Sequence, residues 1–100
     1  MDILRWIQKW YLSNCDGYWE HMYGVEIGSL DNPGWSVDID LTETPLENAS
    51  FDCVQYDRGD GDWVICVKKD DRYKARGGSE KLEEMLLIFK RWAEMHSPIQ

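Results

Sequence analysis

Four side chains that could support nucleophilic catalysis occur together near the start of the chain. Cys15, Asp16, Glu20 and His21 lie within seven residues, and a cysteine with a histidine base and an acidic partner is typical of thiol-dependent enzymes. Such a thiol needs a lowered pKa and a base within hydrogen-bond reach. The alternating pattern that follows places His21 on the same face as Trp19, which favours a buried structural histidine. A small enzyme using Cys15 and His21 stays as the alternative interpretation.

Side chains that could bind a metal ion are present but poorly arranged. Two histidines and three dispersed cysteines without a Cys-x-x-Cys pair give weak support for zinc, which needs three or four convergent ligands. Asp57, Asp60 and Asp62 resemble part of a calcium loop, but the glycine and glutamate that an EF-hand needs at fixed positions are missing. The pattern favours an acidic hairpin tip, and we expect neither a metal nor a cofactor.

Acidic residues are concentrated in the middle of the chain. The net charge is −8, and residues 16 to 62 hold twelve acidic residues against one base, Arg58. From Lys68 onward, eight bases stand against six acids. A field of negative sign repels nucleic acids and anionic lipids and accelerates encounter with basic proteins. Solubility alone is the other explanation of such a surface.

The elements that position these acids begin with a predicted β-hairpin over residues 19 to 42. Its bend falls at Asp31-Asn32-Pro33-Gly34, where proline fixes φ and Gly34 would adopt the positive φ of a type II turn. The polar face carries Glu26, Asp38 and Asp40. The alternating residues of the opposite, buried face are Trp19, His21, Tyr23, Val25, Ile27, Trp35, Val37, Ile39 and Leu41. One side of the hairpin is therefore expected to be buried, and the other to be polar and acidic.

Two amphipathic helices flank the predicted strands. Residues 2 to 14 carry one apolar stripe with Asp2 as N-cap, and a second helix follows Ser79 as its N-cap. Between them we predict strands at 51–58, at 63–67 as a central strand, and at 72–76 as an edge strand guarded by charge. The sequence therefore predicts one α+β domain over residues 1–100. It consists of an N-terminal helix, an antiparallel meander sheet of about five strands and a C-terminal helix, with both helices on one sheet face.

Export and membrane signals are missing from the sequence. The first residues lack a basic segment followed by an apolar run, and no apolar stretch approaches the ~18 residues of a membrane span. Cys15, Cys53 and Cys66 are an odd number without paired spacing, which favours reduced thiols. We therefore expect a cytoplasmic protein.

Four groups of residues form a combined pattern over nearly the whole chain. They are WYLSNCDGYWEH at 10–21, LDNPGW at 30–35, DW at 62–63, and GG-x-x-x-L followed by F-x-x-W at 77–92. Together they resemble the immunity protein 53 family of bacterial polymorphic toxin systems. The resemblance implies a small cytoplasmic α+β protein, encoded beside a toxin, that protects the producing cell by binding that toxin. It implies no catalytic residues.

The charge pattern and the resemblance together predict an immunity protein, not an enzyme, that neutralises a cognate toxin by stoichiometric occlusion. A basic toxin domain, such as the nucleic-acid-binding cleft of a nuclease, would suit the acidic surface. Trp35, which starts its strand beside an exposed turn, suits a place in the core and is also suited to anchoring this partner. The predicted contact residues are Asp16, Glu20, Glu26, Asp31, Trp35, Asp38, Asp40, Asp57, Asp60 and Asp62. The thiol-dependent enzyme and a self-associating interaction module are the alternatives; nucleic acid and membrane are not expected partners.

Overall fold

The computed structural model describes residues 2–96 as one antiparallel sheet with two long helices on one face. The elements are α1 (Ile3–Asn14), α2 (Trp19–Met22), β1 (Val25–Leu30), β2 (Gly34–Asp40), β3 (Val54–Asp57), β4 (Trp63–Lys69), β5 (Arg72–Gly77) and α3 (Leu82–His96). The predicted α+β class, the five antiparallel strands and the two terminal helices are confirmed.

The strand order is β1-β2-β5-β4-β3. As in a meander, β1 pairs with β2, and β3, β4 and β5 pair in sequence. The two groups are joined through β5, which lies beside β2 where a simple meander would have β3. The prediction that residues 72–76 form an edge strand is wrong, because β5 occupies the centre of the sheet. Its alternating basic residues lie opposite the acidic residues of β2 and do not guard an edge.

The core lies between the sheet and the helices. Asp2 caps α1 by accepting hydrogen bonds from the backbone N–H groups of Leu4 and Arg5, as its position predicts. Within α1, the three inner strands β2, β5 and β4, and α3, the buried hydrophobic residues are Ile3, Ile7, Trp10, Val37, Ile39, Val64, Cys66, Tyr73, Ala75, Met85, Leu86, Ile88, Phe89, Trp92 and Ala93. Both helices therefore cover the same sheet face. Between residues 2 and 96, no helix is long and apolar enough to cross a bilayer.

The first half of the predicted hairpin differs from the structure. Residues 19–22 form the short helix α2, and β1 begins only at Val25. Consequently His21 is exposed, so its predicted burial is wrong. The physical reason is local capping: Asp16 Oδ1 accepts hydrogen bonds from the N–H groups of Tyr18 and Trp19. These bonds satisfy the N–H groups at the start of the helix and favour it over an extended strand.

Other predicted boundaries also shift. The turn between β1 and β2 spans residues 31–33, and Gly34 already belongs to β2 without a positive φ. A glycine is needed there because a Cβ atom would collide with the carbonyl oxygen of Gly77. The strand predicted at 51–58 is shortened to β3. Ser79 is not the N-cap of α3, which begins at Leu82 after a turn in which Lys81 N donates to Gly78 O.

Candidate functional site

The sheet face that the helices leave uncovered carries two ion pairs. Arg72 Nε donates to Asp40 Oδ1 at 2.7 Å, and Arg76 Nη1 donates to Asp38 Oδ1 at 3.0 Å. Both pairs join β2 to β5. Asp40 lies directly opposite Arg72, and Asp38 lies two residues along β2 from Ser36, the residue opposite Arg76. Asp40 Oδ2 also accepts from the N–H of Gly24 at 2.9 Å. Two of the three negative charges predicted for this face, those of Asp38 and Asp40, are therefore compensated within the protein.

The open face, which we define as the outward-facing residues of β1 to β5, is banded rather than uniformly acidic. Glu26, Asp38 and Asp40 form an acidic band on β1 and β2, and Arg72, Lys74 and Arg76 form a basic band on β5. Ile65 and Val67 of β4 follow as a half-buried apolar band. A partner would therefore meet different chemistry on neighbouring strands.

A second group of predicted residues lies at one end of the sheet. Three connections meet there, namely residues 31–33, 58–62 and 78–81. They enclose a cleft of about 760 Å³, lined by Asn32, Pro33, Asp57, Gly59, Asp60, Gly61, Trp63 and Ser79. We call this region the acidic end. It brings together Asp57 and Asp60 with the turn that contains Asp31.

Trp35 holds part of the acidic end together. Its side chain is half-buried against the core, and its Nε1 donates to the carbonyl oxygen of Ser79 at 2.9 Å. This bond ties the start of β2 to the turn before α3. The indole therefore supports the geometry of the cleft from inside the protein.

Asp62 lies between two cations at the same end. Arg58 donates to both carboxylate oxygens at 3.1 Å, and Lys81 Nζ lies 2.8 Å from Oδ1. Arg58 and then Lys81 stabilise the charged carboxylate and lower the pKa of Asp62 from 3.8 to about 2. Arg58 also stacks on Tyr56, with 3.9 Å between Cζ and the ring centroid. Asp62 thus organises the turn and has little free charge to offer a partner.

The pKa of Asp62 leads to a prediction about acid stability. A carboxyl group whose pKa is lowered on folding stabilises the protein above its unfolded pKa of 3.8, and this contribution is lost as the pH falls to about 2. We therefore expect Asp62→Asn to be less stable than the parent protein at neutral pH, and the difference to shrink between those two values. Urea unfolding across this pH range measures it.

Asp60→Asn is the matched control, because Asp60 lies in the same turn and forms no ion pair within residues 2–96. A stability difference for Asp62→Asn that stays constant from neutral to acid pH would contradict the proposed role of the two cations.

Asp16 and Glu20 form a separate local network at the opposite end of the sheet. Besides the two bonds to Asp16, the carboxylate of Glu20 accepts hydrogen bonds from the N–H groups of Asp16 at 2.9 Å and Gly17 at 2.8 Å. The backbone N–H of Trp19, followed by that of Tyr18, lowers the pKa of Asp16. The N–H of Glu20 itself, with those of Asp16 and Gly17, lowers the pKa of Glu20. Both carboxylates are engaged in capping α2.

Cys15 and His21, the residues of the alternative enzyme, have different surroundings. Cys15 Sγ donates to the carbonyl oxygen of Tyr11 at 3.3 Å. His21 instead lines a cleft of about 630 Å³ between α1, α2 and the start of β1, and Cys15 is not part of its lining. The structure gives no hydrogen bond between the two side chains. Within residues 2–96, no three His, Cys, Asp or Glu side chains are grouped closely enough to hold a metal ion.

The ten predicted contact residues thus fall into three places. Asp16 and Glu20 cap α2, while Glu26, Asp38 and Asp40 lie on the open face. Asp31, Trp35, Asp57, Asp60 and Asp62 lie at the acidic end. The sequence interpretation missed Trp63 in the cleft and the cations that pair with the acids. The alternation of Arg72 and Arg76 along their strand is visible in the sequence, but the order and register of β2 and β5, which bring them to Asp40 and Asp38, are not.

Comparison with known protein families identifies the family of this chain. The family model described as Immunity protein 53 matches residues 4–94. Neither the curated proteins nor the solved structures include a significant match. The matched range contains most of α1, all five strands and most of α3, and so covers the sheet and both surfaces described above. The chain therefore belongs to the immunity protein 53 family.

Proposed function

We propose that this immunity protein binds a cognate toxin domain with one-to-one stoichiometry and blocks its working surface, without catalysis. The observation that carries the proposal is the acidic end. Asp31, Asp57 and Asp60 are exposed there, and none of them forms an ion pair in the part of the chain that the structure describes. A cleft with uncompensated carboxylates at its rim suits a basic protein surface.

The ten acidic and aromatic contacts proposed from the sequence would then have different roles. Glu26, Asp31, Asp57 and Asp60 keep their charge available and steer the toxin during encounter. Asp38, Asp40 and Asp62 are neutralised by arginine or lysine and maintain the shape of the surface. Asp16 and Glu20 order α2, and Trp35 supports the cleft. The steering residues are expected to affect association, and the others chiefly stability.

The first experiment identifies the toxin. The tagged protein is used to capture partners from the producing organism at low salt and at high salt, and the partners are identified by mass spectrometry. A single basic toxin domain at one-to-one stoichiometry supports the proposal, and the recovered domain allows neutralisation to be measured directly. Recovery of this chain alone would favour self-association, and light scattering over a range of concentrations would then test that alternative.

Neutralising the rim of the cleft is expected to slow toxin binding. We predict that Asp31→Asn, Asp57→Asn and Asp60→Asn together reduce the association rate constant about tenfold at low salt, because the local steering field is weakened. Asparagine preserves the hydrogen bond that Asp57 Oδ1 accepts from Gly59 N. The difference should nearly vanish at high salt, where exposed charges are screened. Stopped-flow measurements with the toxin domain test this.

The control carries the same change of net charge at the opposite end of the sheet. Asp52→Asn, Asp70→Asn and Asp71→Asn also remove three exposed carboxylates. Asp70 and Asp71 have φ values of 55° and 60°, which asparagine tolerates. Equal slowing by the two triple variants would show that only total charge matters, and the acidic end would then not be the docking surface.

A further inference from the structure

The outer edge of β1 is an unpaired strand edge. Asp40 N donates to Gly24 O at 3.0 Å, and Val25 lies opposite Ile39 in the register. Because hydrogen-bonded pairs alternate along antiparallel strands, the backbone groups of Glu26, Gly28 and Leu30 point toward β2. Those of Val25, Ile27 and Ser29 point away from the sheet. In the range 2–96 no backbone segment bonds to them.

This edge lacks the features that usually prevent strand pairing. Natural edge strands are short, or carry lysine, proline or a bulge. β1 has six residues in continuous register with β2, without a bulge, and its one charged residue is Glu26. The other edge of the sheet, β3, has only four residues. The longer and less protected edge is therefore the one suited to accept another strand.

The side chains beside this edge differ between the two faces. On the helix side, Ile27 is 42% exposed, and Met22 of the adjoining α2 is 58% exposed. The cleft beside α1 and α2, whose lining includes Met22 and Val25, opens at this end of β1. On the open side, Glu26 is exposed and forms no ion pair within residues 2–96, since Arg72 is bonded to Asp40.

We propose that the outer edge of β1 accepts an extended segment of the toxin as a sixth strand, in which apolar residues facing Ile27 alternate with basic residues facing Glu26. Main-chain hydrogen bonds supply affinity in this binding mode, and the alternating side chains supply specificity. A second copy of this chain suits the edge poorly, because each copy carries a net charge of −8. The proposal rests on the proposed function and adds a second contact surface to the acidic end, whose turn at residues 31–33 directly follows β1.

The test uses a defined probe that does not require the toxin. An eight-residue peptide alternating lysine with valine is titrated into the full chain, and amide exchange is followed by NMR. We expect saturable binding that protects the N–H groups of Val25, Ile27 and Ser29, which are open in the free protein. A peptide alternating glutamate with valine should not bind. Binding elsewhere, absence of saturable binding up to millimolar peptide, or protection that depends only on protein concentration would overturn the proposal.

Ser29 provides a matched pair of variants. Ser29→Pro removes an outward N–H without breaking a bond to β2, a change that edge strands tolerate. Ser29→Ala removes the same hydroxyl and keeps the N–H. We expect Ser29→Pro to weaken the affinity for the lysine–valine peptide about tenfold, as the loss of one main-chain hydrogen bond predicts. Ser29→Ala should change this affinity little. Equal affinities for the two variants would refute strand addition.

The same pair separates this proposal from the proposed function. If the protein neutralises its toxin and Ser29→Pro, shown to be folded by its NMR spectrum, neutralises it equally well, the immunity function stands and the docking edge is wrong. If no toxin is bound by the parent protein, the immunity function fails, and the peptide result still decides whether β1 accepts a strand.

Discussion

Phe89→Ala is expected to lower the free energy of unfolding by about 3–5 kcal/mol, the usual range for a fully buried phenylalanine. Phe89 has no exposed surface and lies at the junction of α1, α3 and the sheet. Its ring centroid is 5.0 Å from that of Trp10 and 5.1 Å from that of Tyr73. Alanine would leave a cavity between large, rigid rings that have little freedom to close it. Urea unfolding followed by tryptophan fluorescence measures the loss.

Leu12→Ala is the control for this prediction, because Leu12 lies on α1 and is 68% exposed. Leu12→Ala should change the free energy of unfolding by no more than about 0.5 kcal/mol. If Phe89→Ala also lowered the free energy of unfolding by less than about 1 kcal/mol, the description of α1 and α3 as packed around one aromatic centre would be wrong.

Gly78→Ala is expected to lower the free energy of unfolding by about 1–3 kcal/mol, because overpacking of this kind forces backbone shifts. We also expect it to displace the turn at residues 58–62. Gly78 is buried, and its N–H donates to Trp63 O at 3.1 Å. A Cβ atom there would collide with the carbonyl oxygen of Gly61 and lie 2.6 Å from its carbonyl carbon. Because both contacts are with backbone, no side chain can move aside to relieve them.

The functional consequence of Gly78→Ala follows from the position of that turn. Moving residues 58–62 would move Asp60 and Asp62 away from the cleft and from Lys81. We therefore expect weaker toxin binding together with changed amide chemical shifts at residues 58–62.

Gly24→Ala is the matched control, because no atom lies within 4 Å of a Cβ at that position. It should be neutral or stabilise the protein by up to about 1 kcal/mol, through restriction of the unfolded chain. Equal stability of the two alanine variants would show that the close approach of Gly78 to Gly61 has no energetic importance.

Periodic patterns in the sequence predicted most of the secondary structure, because each depends on neighbours along the chain. The apolar stripe and Asp2 cap of α1 are as expected, and so is the burial of Val37 and Ile39 on one face of β2 and of Leu41 directly after it. Residues 19–22 were misread because Trp19, His21 and Tyr23 alternate as in a strand. The hydrogen bonds that backbone N–H groups donate to the carboxylates of Asp16 and Glu20 favour a helix instead. The alternation of apolar residues gives no information about such bonds.

The candidate site was predicted in composition but not in arrangement. The sequence identified the acidic residues of the acidic end and of the open face, since charge and turn residues are visible in it. It did not show that Asp38 and Asp40 are paired with Arg76 and Arg72. Nor did it show which carboxylates remain without an ion pair.

By itself the sequence determined the two long helices, the five strands apart from their exact bounds, the buried face of the central strands and the family to which the chain is similar. Only the tertiary structure decided that β5 lies between β2 and β4, that β3 and not β5 forms the second edge, and that three connections meet at the acidic end. The physical reason is that side-chain periodicity records which face is buried, whereas backbone hydrogen bonding is nearly the same for any neighbouring strand. The choice of neighbour depends on contacts between residues distant in sequence, such as that between Asp38 and Arg76.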